Sequence, residues 1–226
     1  MIKLKLNRRT YKLKERYTLD EYLEVIKLDI ENPANWPKIM SIGFGQPYWK
    51  FHNVAEDSLI LGSSLVLNSM SSRRECKIKD LTQLTLGEFI DLDIWIVMGI
   101  EKNIKSILDI ISPQPVKWAD EALWLIDQYS NFRMSTYRSY SGLFGLNNGG
   151  ESEEDEESWD PQYVAKGWYK VLVDLADDDI LKLDAVTEQP LKKAFNFMAL
   201  RKEKILEENF KQLQIKRQHD LQRNRR

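Results

Sequence analysis

The sequence predicts a mainly α-helical protein with a short N-terminal β-hairpin. The architecture expected is an irregular helical bundle followed by a C-terminal helical unit with a long projecting last helix. Three observations carry this. Apolar residues recur at spacings of three and four through most of the chain. Two Thr-Leu-x-Glu stretches, Thr18–Glu21 and Thr85–Glu88, stand at the heads of such stripes. Strict alternation of apolar and basic residues is confined to the start, in Ile2–Leu6 and Tyr11–Lys14, with Asn7–Thr10 as the turn and lysines on the outer face.

The elements follow in order. At Thr18 a helix opens with a capping box, the hydroxyl accepting from the Glu21 N–H and the Glu21 carboxylate reaching back. Leu19, Leu23, Ile26 and Ile30 then form its core-facing stripe. Pro33 is expected to stop it. One or two helical turns at Trp36–Met40 precede a break at Gly43–Pro47, and residues 57–70 read as a buried helix weakened by Gly62 and its serines. A short strand is expected at Cys76–Lys79. The helix beginning at Thr85 is apolar around most of its circumference, with Phe89, Ile90, Leu92, Ile94, Ile96 and Val97, so it must be covered from several sides. Further helices are expected over 104–111, ended by Pro113 and Pro115, and over 120–129.

At 226 residues the chain has room for one or two domains. Composition shifts at residues 130–150, rich in Ser, Gly and Asn, and six acids crowd into residues 151–158. Like charges at that density oppose compaction. The expected organisation is therefore a body over 1–144, an acidic flexible linker over 145–158, and a C-terminal helical unit with a basic tail over 159–226. In that unit Trp168, Val171, Leu172, Leu175 and Ala176 make one stripe. A last helix carries Leu191, Ala194, Phe195 and Met198, then Ile205, Leu206, Phe210 and Leu213.

Charge and composition narrow the function classes. The net charge of −2 gives the whole molecule no strong pull on nucleic acid or an anionic membrane. With one cysteine, Cys76, no intrachain disulfide forms, which suits a reducing, cytosolic setting. No signal peptide is expected, and the longest uncharged run, Ser58 to Ser72, falls short of the ~20 apolar residues a membrane span needs. The sequence holds two histidines, no phosphate loop, no dinucleotide fingerprint and no zinc spacing, so no catalytic, cofactor or metal residue is assigned. ESEEDEES lacks the alternating ligands and glycine of a calcium loop. Within Asp177–Asp179, helix capping is a better use of the carboxylates than chelation.

Aromatic and aliphatic residues are the stronger hint. Seven tryptophans is high for this length. Trp95 suits a core. Trp159, Trp168 and Tyr169 suit either core or interface, since large aromatics with a polar handle are favoured anchors. The candidate partner-binding set is Phe89, Trp159, Trp168, Tyr169, Phe195, Met198, Ile205, Leu206, Phe210 and Leu213. From residue 201 onward nine Lys or Arg stand against four Asp or Glu, a local net of 9 − 4 = +5. Three uses fit that tail: a solvated helix end, a coiled-coil-like contact through Ile205, Leu206, Phe210 and Leu213, or nucleic-acid contact through Lys216, Arg217, Arg223, Arg225 and Arg226. The last lacks interleaved aromatics for base stacking.

The stretch LTLGEFIDLDIWIVMGIEKNIKSILDII, with Glu88, Phe89, Ile90, Asp91 and Leu92, resembles the middle of small bacteriophage tail proteins. The later stretch GWYKVLVDLADDDILKLDAVTEQPLKKAFNFMALRKEK is similar to their ending, through Trp168, Tyr169, Leu175, Ala176, Asp179, Ile180, Val186, Phe195 and Met198. The group resembled is the tail-assembly chaperones and baseplate-hub assembly proteins of T4-like and related phages. The resemblance implies a non-enzymatic protein of the host cytoplasm that binds a helical partner, such as a tape-measure, hub or other virion protein, with no cofactor. It also leaves open a homo-oligomer, or a permanent virion subunit such as a connector or ring component. The N-terminal hairpin and the acidic stretch lie outside it.

Overall fold

The computed structural model describes the backbone of residues 2–6, 9–144 and 160–223, and side chains of those residues up to 218. The linker expected at 145–158 and the candidates Trp159, Arg225 and Arg226 lie outside the described residues, as does the side chain of Arg223. The element order is β1 (Lys3–Leu6), β2 (Arg9–Lys12), α1 (Leu19–Ile26), α2 (Trp36–Phe44), α3 (Glu56–Met70), α4 (Leu86–Val97), α5 (Ile100–Ile111), α6 (Ala119–Ser139), α7 (Ser141–Phe144), α8 (Pro161–Leu175), α9 (Leu183–Thr187) and α10 (Leu191–Arg223). The protein is therefore mainly α-helical, with the β1–β2 hairpin as its sheet among the described residues. No described helix is long and apolar enough to cross a membrane.

The chain forms two compact units, one from residues 1–79 and 99–131 and the other from 80–98 and 132–226. This replaces the expected boundaries at 144 and 159. The physical reason is α4: its apolar circumference supplies Leu86, Phe89 and Ile90 to a core shared with Trp168, Leu191, Ala194 and Phe195. A helix that must be covered from several sides joined the elements able to cover it, far along the chain.

In the first unit the hairpin pairs Leu4 with Tyr11 and Leu6 with Arg9, leaving Lys3, Lys5 and Lys12 exposed. Thr18 and Glu21 make the capping box in both directions, at 3.2 and 3.0 Å. Helix α1 ends at Ile26, and Ile30 is exposed, so the expected stripe runs one turn too far. Pro33 instead begins a short 3-10 turn, where its missing N–H costs nothing. Gly45, at φ 61°, closes α2 in the left-handed conformation that glycine adopts freely. Residues 72–80 form no strand, contrary to the expectation at Cys76–Lys79; Arg74 and Lys79 bond instead to the backbone carbonyls of Asp120 and Ile111.

Helices α2 and α3 pack closely because each offers a glycine. A Cβ on Gly43 would overlap Val66, and one on Gly62 would lie 2.5 Å from Met40 Cε. Around this contact lie the fully buried Val25, Ile39, Met40, Phe51 and Val66. Arg16 grips Asp120 with two hydrogen bonds (2.9 and 2.7 Å) and Glu121 with a third (2.7 Å), while its guanidinium lies 4.5 Å over the Trp118 ring. These bonds, led by the one to Asp120, hold the guanidinium pKa above its ordinary value.

Candidate partner-binding surface

The second unit is built on an aromatic core. Phe195 meets Phe89 at 5.6 Å and Tyr140 at 5.1 Å between ring centroids, both near perpendicular, and lies parallel to Trp168 at 6.3 Å. Perpendicular and offset arrangements suit the ring quadrupoles. Thr85 and Glu88 cap α4 reciprocally at 3.1 and 2.9 Å. The same corner holds the start of α10, since the Leu86 N–H donates to Gln189 and the Leu191 N–H to Leu84.

Behind the rings sits a buried charge. Asp93 is 2% exposed, an uncommon place for a carboxylate. Its Oδ2 accepts from Trp168 Nε1 at 2.8 Å and its Oδ1 from Arg133 Nε at 2.5 Å. Arg133 in turn lies 4.9 Å over the Tyr137 ring. Burial, and secondarily the Asp93 charge, drives the Tyr137 phenol pKa far above its ordinary value, so it stays neutral. The arrangement fixes the Trp168 ring and joins α4, α6 and α8 by polar contacts that tolerate little variation in geometry.

This settles the place of three candidates. Phe89 and Phe195 are fully enclosed in the unit's own core, and Trp168 is buried there with one edge on a surface groove. Spacing could not separate them from interface residues, because both uses put aromatics on one helix face. Met198 is half-buried at the edge of the same core. Tyr169, the next residue along α8, is exposed.

Helix α10 explains the rest. It runs 33 residues, roughly 50 Å at 1.5 Å per residue. Its first turns bury Leu191, Ala194 and Phe195. Beyond Arg201 every described residue is exposed, yet the apolar line continues. Phe195, Ala199, Leu206, Phe210 and Leu213 are separated by four, seven, four and three residues, which keeps them on one face. Leu206, Phe210 and Leu213 are 58%, 60% and 56% exposed, with Ile205 alongside at 50%. Single exposed apolar residues need no explanation, but an aligned set continuing a core stripe marks an unfilled contact.

The root of that stripe is held firmly. Arg201 donates to the Asp174 carbonyl at 2.7 Å and pairs with the Asp174 and Asp177 carboxylates, and Lys202 donates to the Gly142 carbonyl at 2.6 Å. Shallow grooves flank the helix here. One, about 280 Å³, is lined by Tyr140, Leu143, Ala199 and Leu206; the other, about 270 Å³, by Phe144, Trp168, Val171, Met198 and Ile205. Asp177 and Asp178 take left-handed conformations (φ 53° and 59°) in the turn after α8, and Asp179 then caps the next turn by accepting from the Leu181 N–H. The acidic triplet therefore serves turn and cap. Lys216 and Arg217 are exposed near the far end of α10, beyond the apolar stripe.

The first unit carries a separate open groove of about 890 Å³, lined by Leu23, Ile26 and Ile104 and rimmed by charges, among which Lys105 pairs with Asp20 and Lys38 with Glu24. Among the described residues no group of three or more His, Cys, Asp or Glu is placed to hold a metal ion. No family model, curated protein or solved structure matches the chain.

Proposed function

We propose that this is a non-enzymatic bacteriophage tail or baseplate-hub assembly protein acting in the host cytoplasm, which binds a helical partner through the exposed stripe of α10. The single observation that supports this most is the continuation of a core stripe into solvent at Ile205, Leu206, Phe210 and Leu213. Helix-in-groove and helix-on-helix recognition both read anchors at this spacing. The two grooves at its root offer places for the partner's side chains, with Tyr169 as a further exposed aromatic on the same unit. The partner class, a tape-measure or hub protein, comes from the resemblance in the middle and C-terminal stretches.

Mass spectrometry of purified phage particles beside the infected-cell lysate tests this reading. An assembly factor is expected in the lysate and absent, or far below one copy per ring, in the particle. Abundant peptides in the mature particle would replace it with a permanent structural subunit. Absence from infected cells altogether would refute both.

A further inference from the structure

The charges along the exposed part of α10 are distributed unevenly about Phe210. The seven residues before it, 203–209, hold Glu203, Lys204, Glu207 and Glu208, a net of 1 − 3 = −2. The seven after it, 211–217, hold Lys211, Lys216 and Arg217 with no acid, a net of +3. Glu203 and Arg217 each stand seven residues from Phe210, two turns away on the stripe itself, so the apolar segment is bounded by one charge of each sign. All of these side chains are exposed, and the ion pairs that hold the helix to its own unit stop at Arg201.

From this we infer that the stripe is covered by a second copy of the same chain, with the two α10 helices antiparallel and crossing near Phe210. Antiparallel pairing sets the −2 half of each helix against the +3 half of the other, and brings Glu203 of one copy beside Arg217 of the other at both ends. Parallel pairing would stack like on like, +3 against +3 and Glu203 against Glu203, which is the arrangement that charge patterning on paired helices selects against. Phe210 at the centre meets its own counterpart, and Leu206 and Leu213 exchange places across the axis. The pairing is isologous and closes at two copies. It uses the surface proposed above for a helical partner, so the free protein holds that surface covered until a partner displaces the second copy. The pairing itself stands on the charge pattern and not on the partner's identity.

Sedimentation of the full chain at about 100 µM, a concentration that populates even weak pairs, is the first test. A dimer is expected, weakened several-fold when salt is raised from about 0.05 to about 0.5 M, because the complementary charges are exposed. The Leu206→Ser/Phe210→Ser/Leu213→Ser variant is expected to be monomeric with an unchanged helical signal, as none of the three side chains is buried. Orientation is read by cross-linking two chains that each carry Cys76→Ser, one with Glu203→Cys and one with Arg217→Cys. In the antiparallel pair, like positions lie about fourteen residues apart along the axis, roughly 21 Å, well beyond the ~7 Å that a disulfide spans. Mixed 203–217 cross-links are therefore expected to outnumber 203–203 cross-links at least about tenfold. A monomeric wild type, a dimer untouched by the triple serine change, or dominant 203–203 cross-links would each overturn the inference. A monomer that still captures a helical partner would overturn the pairing alone, whereas pairing without any captured partner would leave it standing and remove the proposed function.

Discussion

Replacing Arg133 by Met takes the guanidinium from Asp93, and the structure sets what that should cost. Asp93 is 2% exposed and accepts from Arg133 Nε, Trp168 Nε1 and the Tyr137 phenol. Losing the cation leaves a buried carboxylate with only neutral donors, the Trp168 N–H and the Tyr137 O–H. Breaking a buried pair in this way typically costs about 3–5 kcal/mol. Arg133 keeps 23% of its side chain exposed, so water reaches part of the gap and the lower end, about 3 kcal/mol, is expected. The methionine stem also retains some packing on Tyr137. Adding Asp93→Asn removes the stranded charge while leaving an oxygen for the Trp168 N–H, so the double variant should lose only about 1–2 kcal/mol. The second change therefore restores stability that the first removed, the sign of strong coupling. Urea unfolding followed by tryptophan fluorescence and by far-ultraviolet circular dichroism measures both values. Arg133→Met within about 0.5 kcal/mol of wild type, or a double variant no more stable than the single one, would refute the reasoning.

Three further outcomes are expected. Gly43→Ala should destabilise the first unit by about 1–3 kcal/mol despite its better helix propensity, because the new methyl would overlap the stiff, β-branched Val66; a gain in midpoint would contradict the close approach of α2 and α3. Thr85→Ala should cost about 1 kcal/mol in the second unit by removing half of a capping box, measured by thermal or urea unfolding. Burial pushes the Glu21 carboxyl up, but its bonds with Lys14 and Thr18 outweigh this and hold its pKa below the usual range. A depressed carboxylate contributes stability above its unfolded pKa and loses it as pH falls through its folded one, so Glu21→Gln should be less stable than wild type at pH 7 and the gap should close in acid. A constant gap from pH 7 to pH 3 would show that the lowering is not a property of the folded state.

Local signals in the sequence were read well where a local cause decided the outcome. Both capping boxes form as the Thr-Leu-x-Glu stretches require, and the alternating N-terminal segments pair with their lysines outward. What escaped were the features decided by distant neighbours. Gly62 looked like a weakness in a helix, yet it is the gap that lets Met40 in. Cys76–Lys79 alternates as a strand does but pairs with no strand among the described residues, and the Lys79 N–H settles on the Ile111 carbonyl. Residues 130–139, polar in composition, continue α6 because Arg133 and Tyr137 reach the buried Asp93 and the ring cluster.

The candidate surface was legible in the same uneven way. Ile205, Leu206, Phe210 and Leu213 follow helical spacing after the residues that fill the core, and their exposure follows from there being too little apolar surface nearby to cover them. Phe89, Trp168 and Phe195 share the same spacing and aromatic character but are buried. Periodicity identifies a face; it does not say whether the chain itself covers that face. A sequence cue does separate the two halves of α10: six of the seven residues 194–200 are apolar, whereas 203–209 hold only Ile205 and Leu206.

Affinity capture from an infected-cell lysate, with the wild-type chain beside its Leu206→Ser/Phe210→Ser/Leu213→Ser variant, tests the central claim most directly. The wild type is expected to retain a helical tail or hub protein through nuclease treatment and high salt, and the variant, folded and equally soluble, to retain none of it. Equal capture by both chains, or a captured species that is nucleic acid released by salt, would contradict it.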